Sequence, residues 1–243
     1  MCYHYSEKSR FVLSTATSTM RFFRGIAVSS DAAKSTIKQI RSVGLLGSEG
    51  IWRMMFSHPG SIDDLFSKDA LSTEDTRVRH DEEQAICACG ELFGAAYYAL
   101  KHNRTKERNT PIILEFEANE NSVAVDGRDF LYKAFQDGDP IRARLVLQTA
   151  FGEAVLRYAD LAWKQISQET RIALCDLAVH DPAVIRAHHD NVLVLGGRHG
   201  TIFRNAFLVK APIPADALIS VRQLNSDIRI PRPEVTLTDL RIE

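Results

Sequence analysis

The chain has 243 residues, 45% hydrophobic and 25% charged, with 30 Lys and Arg against 31 Asp and Glu for a net charge of −1. That composition is ordinary for a globular protein, and the charge balance argues against a broad basic surface for nucleic acid or anionic lipid. No apolar run reaches the roughly 18 residues that span a bilayer, so neither a membrane nor a nucleic acid is expected as a partner.

Residues 1–20 read as a Ser/Thr-rich lead-in without the apolar core of an export signal. A first strand is predicted from Arg21 to Val28, then a helix from Asp31 to Val43 behind Ser29 or Ser30 as cap. Ile37, Ile40 and Val43 give that helix its apolar stripe, and Gly44 is placed to end it. The stretch from Leu45 to His80 has weak periodicity and reads as short helices and loops around "IWRMMFSH" and "SIDDLFS". Glu82 to His102 reads as one helix, or as a short strand and a helix, followed by the polar basic loop "HNRTKERNTP".

"IILEFE", from Ile112 to Glu117, alternates and predicts a half-buried strand, and "SVAVDGRDF" predicts a short strand closed by an Asp-Gly turn. Asp139 to Ile166 carries the clearest helical pattern, through Ile141, Leu145, Leu147, Ala150, Val155, Leu156 and Leu161. A second helix near Glu169–Val179 starts behind Ser167. The remainder is β-rich, in "NVLVLGG", "TIFRNAFLVKA" and "ALISVRQL". Strands at both ends with helices between predict an α+β fold: one domain over residues 21–243, with a helical insertion at about 139–179.

Several residues carry candidate chemistry. Arg24 follows two phenylalanines in "FFRGIA", and its guanidinium presents a planar fork to phosphate or carboxylate oxygens. Gly25 beside it lets a ligand approach the backbone. Cys2, Cys87, Cys89 and Cys175 lack metal or redox spacing and read as free thiols. His188, His189 and Asp190 are adjacent without a spaced third ligand, so no metal site is expected. Asp126 and Asp129 flank a turn and read as structural.

"FFRGIA", followed by a helix of about a dozen residues and a glycine, resembles the first strand and helix of mono-ADP-ribosyltransferases. "ICACGELFGAAYYA" resembles that superfamily's strand, small-residue turn and tyrosine-bearing helix. The end of the chain resembles its last strands, with an Ile-Pro turn between them.

The resemblance implies a split β-sheet core and NAD as co-substrate, with ADP-ribose moved to a side chain of a target protein. Arg24 would hold the ribose-phosphate portion and Gly25 the nicotinamide amide. Tyr97, or Tyr98 if the register slips by one, would stack on the nicotinamide, and Phe93 would line the same pocket. The Gly-rich turn at Gly196–Gly200 corresponds to the family's acceptor-reading turn. It also implies the setting of a secreted bacterial effector acting in a host cytoplasm, with ubiquitin among the acceptors such effectors modify; otherwise the protein is cytoplasmic.

The chain departs from the family in two places. The Ser-Thr-Ser motif is missing, with Cys87-Ala88-Cys89 or Gly90 in its neighbourhood, and the catalytic glutamate falls on Ala206. Ala206 is then an engineered replacement, a natural loss, or a sign that the acid comes from elsewhere, with Glu115 and Glu117 as candidates. A degenerate fold serving as a protein-interaction module and an RNA 2′-phosphotransferase-like enzyme are the alternative readings.

Overall fold

The computed structural model describes residues 18–47, 51–52, 62–72, 74–75, 83–126, 128–137, 140–225 and 229–240. It is α+β, with small, mainly antiparallel sheets and a group of helices packed on one of them.

Strand β1 (Thr19–Val28) pairs antiparallel along its whole length with β4 (Thr110–Asn119), from Thr19 opposite Asn119 to Val28 opposite Thr110. β4 also pairs with β9 (Leu218–Gln223), which places it in the middle of the sheet. Helix α1 (Ala33–Val43) lays Ala33 and Ile40 on one face, against Ile112, Leu114 and Val221. Helix α3 (Leu92–Tyr97) lays Ala95 and Ala96 on the other, against Ile113. Ile112, Ile113 and Leu114 are therefore all fully buried, where the alternation of the sequence predicts a half-buried strand. Outward carboxylates mark only one end of β4, since a central strand covered by helices reads as a continuous apolar run.

A second sheet runs β2 (Ile51–Trp52), β3 (Glu83–Ala88), β8 (Phe207–Lys210), β5 (Val123–Val125), each neighbour antiparallel. Ile51–Trp52 is thus a strand rather than the start of a helix, and residues 53–61 of that reading lie outside the described residues. Helix α2 (Ile62–Phe66) buries Leu65 in the main core. The helices behind this sheet are α4 (Arg128–Asp137), α5 (Pro140–Phe151), α6 (Ala154–Lys164), α7 (Gln168–Ala178) and α8 (Pro182–His189). They bury Phe130, Phe135, Phe151 and Tyr158 against it. A small third sheet joins β6 (Leu195–Gly196) to β7 (Ile202–Phe203) as a hairpin, with β10 (Val235–Thr236) parallel to β6.

The helical region starts earlier and ends later than its periodicity predicts. "RDFLYKAFQD" is α4 rather than the tail of a strand, and "PAVIRAHH" is α8, capped by Asp181 with Pro182 at its first position. The single pattern predicted over 139–166 divides at Gly152, whose φ of +80° ends α5. Ile141, Leu145 and Ile166 are exposed (84%, 68% and 99%). The buried face of α5 is Ala143, Leu147, Ala150 and Phe151, so Leu147 and Ala150 of the predicted pattern are buried, as are Val155, Leu156 and Leu161 on α6.

Candidate functional site

Among the described residues one backbone bridge joins the two larger sheets, beside the packing of Phe22 on Phe207. Phe23 of β1 and Cys89, the residue after β3, exchange N–H···O bonds of 2.7 Å each. Beside that junction the Arg24 guanidinium crosses the gap, and its Nη1 donates to the Cys87 carbonyl at 2.9 Å. Backbone groups alternate sides along an antiparallel strand. Since Phe23 bonds Cys89, the N–H and C=O of Gly25 face the same gap, and Asn103 Nδ2 donates to that C=O at 3.0 Å.

Gly25 is required here for a reason that sequence alone does not give. A Cβ would stand 1.7 Å from the Ala95 carbonyl oxygen and 2.9 Å from the Ala99 nitrogen, so α3 crosses directly over the glycine. The helix is aimed by its own start: the Glu91 carboxylate caps it, accepting from Phe93 N–H at 2.7 Å and Gly94 N–H at 2.9 Å. The turn before it is anchored by buried Asn205, whose Oδ1 accepts from Gly90 N–H at 2.7 Å while its Nδ2 donates to the His189 carbonyl at 3.0 Å.

Beside that bridge lies a pocket of about 190 Å³ lined by Arg24, Gly25, Cys87, Cys89, Tyr98, His102, Asn103, Asp126 and Ala206, among others. A second depression of about 260 Å³ lies on the other side of Arg24, against Ile40, Val43 and Leu46. Arg24, Gly25, Tyr98 and Ala206 are thus brought together from three separate parts of the chain. Phe93 and Tyr97 are not among the lining residues. Phe93 lies under the Arg204 guanidinium, 5.3 Å from its carbon, and the Tyr97 hydroxyl donates to the Gly200 carbonyl at 2.8 Å, tying α3 to the β6–β7 hairpin. Neighbouring residues on a helix point about 100° apart, so one tyrosine of the pair faces the gap and the other the hairpin. A π turn over Tyr98–His102 follows α3, and it carries Tyr98 and His102 to the same wall, their rings edge-to-face at 5.3 Å. Burial pushes the Tyr98 hydroxyl up, as it does the Cys89 thiol, so both stay protonated at neutral pH. Cys89 is in this form no nucleophile.

Three lining residues, Asp126, His102 and Asn103, escape the sequence reading. His102 and Asn103 begin a stretch that reads as a polar loop. Asp126 reads as half of an Asp-Gly turn, yet it continues the ladder between β5 and β8. Val125 pairs with Phe207, and the Asp126 N–H donates to the Ala206 carbonyl at 2.8 Å. The candidate acids Glu115 and Glu117 stand elsewhere. Glu115 takes Arg21 at 3.1 Å and Ser220 Oγ at 3.0 Å, and Glu117 is exposed.

Behind the pocket, Ala206 is held from both sides. Its N–H donates to His188 Nε2 at 3.1 Å, while His188 Nδ1 lies 2.8 Å from the Ala150 carbonyl. The ring is fully buried and stacked on Phe151 at 4.5 Å. These two partners assign the neutral ring with its proton on Nδ1. Burial, against the pull of the Ala150 carbonyl, lowers its pKa to about 4. His189 turns the other way, with Nε2 2.8 Å from the Arg21 carbonyl. Both histidines of the adjacent pair are therefore engaged with backbone.

Compared with known proteins, the chain matches no family model, no curated protein and no solved structure. Among the described residues, no helix is long and apolar enough to cross a membrane.

Proposed function

We propose that the cleft between the two larger sheets binds NAD, and that the protein is a mono-ADP-ribosyltransferase acting on a side chain of a target protein. The observation that carries this reading is the placement of Arg24. Its guanidinium reaches from β1 to the Cys87 carbonyl and lines the pocket, next to a Gly25 backbone that faces the same gap. A pocket of about 190 Å³ is below the roughly 300–1,000 Å³ that encloses a whole drug-sized ligand, and suits a single aromatic ring. The nicotinamide end would enter it beside Tyr98, while the charged pyrophosphate stays in the open cleft within reach of Arg24. Tyr98 takes the stacking role in this arrangement.

The acceptor is a protein side chain in this reading, and ubiquitin is the first acceptor to assay, in the setting of an effector that works in a host cytoplasm. Ala206 favours a second reading, a non-catalytic interaction module, because a methyl group offers neither charge nor acceptor. Calorimetric titration with NAD and an assay of nicotinamide release decide between them: the enzyme reading predicts both binding and release, and the interaction module predicts neither.

A further inference from the structure

We infer that Asp126 supplies the carboxylate of this cleft, in place of any acid at position 206; the inference rests on the NAD reading above. Three observations converge on it. Asp126 is the register neighbour of Ala206, one rung beyond Val125 and Phe207, and its N–H bond to the Ala206 carbonyl fixes it there. It lines the pocket together with Arg24, Gly25 and Tyr98, and among the described lining residues it is the one that bears a carboxylate. Its charge reaches the pocket's other groups, since it helps to raise the pKa values of both Cys89 and Tyr98, behind burial as the larger cause.

An acid on the strand beside position 206 looks into the same space from one strand spacing away, about 5 Å. Ala206 is then no vacancy in the chemistry. Its small side chain, between Asn205 and Phe207, leaves room for a ring in front of the Asp126 carboxylate. In the reaction the bond between ribose C1′ and the nicotinamide nitrogen breaks, and its electron pair leaves with neutral nicotinamide. The positive charge left on C1′ and the ring oxygen faces the Asp126 carboxylate. A hydroxyl of the acceptor, or water, then forms the new C1′–O bond and releases its proton to solvent. A fixed anion aimed at that developing charge stabilises the transition state more than the ground state.

The test compares the wild-type chain with Asp126→Asn and Asp126→Glu, reading NAD affinity by calorimetry and nicotinamide release by chromatography. Asp126→Asn keeps the size of the side chain and leaves the backbone bond to Ala206 intact. Expected is a loss of release of about 100-fold or more in Asp126→Asn, with NAD affinity changed less than about threefold. Asp126→Glu retains a larger share of the release than Asp126→Asn, because the charge is kept. Release by Asp126→Asn at the wild-type rate overturns the inference and leaves the NAD reading standing, as does a wild-type chain that binds NAD and releases nothing. A wild-type chain that gives no binding in the titration overturns the NAD reading and this inference with it. If Asp126→Asn does not fold, Asp126→Glu decides: release no faster than without protein, in a folded variant that binds NAD, overturns the inference.

Discussion

Gly25→Ala is the substitution whose consequence the structure fixes most tightly. The new methyl carbon would lie 1.7 Å from the Ala95 oxygen, 2.7 Å from the Ala95 carbonyl carbon and 2.9 Å from the Ala99 nitrogen. The first of these is roughly 1.5–2 Å short of van der Waals contact. All three are main-chain atoms of the segment that carries Tyr98, so no side chain can rotate away. The segment must move, and its inner residues Ala95, Ala96 and Ala99 are fully buried. Overpacking typically costs about 1–3 kcal/mol, and main-chain displacement belongs at the upper end, about 3 kcal/mol. At about 2–4 °C per kcal/mol for a chain of this size, the midpoint of thermal unfolding falls by roughly 6–12 °C. Circular dichroism melting of the wild type and the variant reads this directly. A midpoint unchanged within about 2 °C refutes the claim that helix packing requires a glycine at this position.

Two further predictions concern the frame of the pocket. Asn205→Ala strips partners from the Gly90 N–H and the His189 carbonyl, both bonded to one buried amide. At about 1–3 kcal/mol for a buried group left unsatisfied, urea unfolding should show a loss of about 2–3 kcal/mol, and a loss below about 0.5 kcal/mol contradicts the anchoring role. His188 has an ordinary pKa of 6.5 and is lowered to about 4 in the fold. The unfolded chain takes up this proton first, so the contribution is intact above pH 6.5 and is lost as pH falls toward 4. At about 1.4 kcal/mol per pH unit the loss amounts to about 3 kcal/mol. The difference between the acid slopes of the wild type and His188→Gln isolates it; parallel slopes contradict it.

Elements whose signals are local were readable in the sequence. Ser167 accepts from Thr170 N–H as the cap of α7, and Gly44, with φ +80°, ends α1 as the chain pattern predicts. Arg24 and Gly25 stood out for the same reason, being neighbours in a single strand. Asp126 did not, because its place beside residue 206 is set by a pairing between strands some 80 residues apart, which no local pattern encodes. Gly25 was visible in the sequence but its structural reason was not, since the missing side chain answers to a helix 70 residues onward. Helix α8 was legible in principle: Asp181 followed by Pro182 is a cap and first-turn signal, overshadowed by the histidines that end it. On α5 the apolar residues occur on two faces, and spacing alone does not say which one meets the core.

The account turns on Arg24 as the residue that holds NAD, and a calorimetric titration of the wild type against Arg24→Ala tests it most directly. Predicted is saturable binding by the wild type, weakened in the variant by about 1.5–3 kcal/mol, or roughly 10- to 150-fold, in a variant confirmed by melting to be folded. Absence of binding by the wild type, or equal affinity in the two proteins, contradicts it.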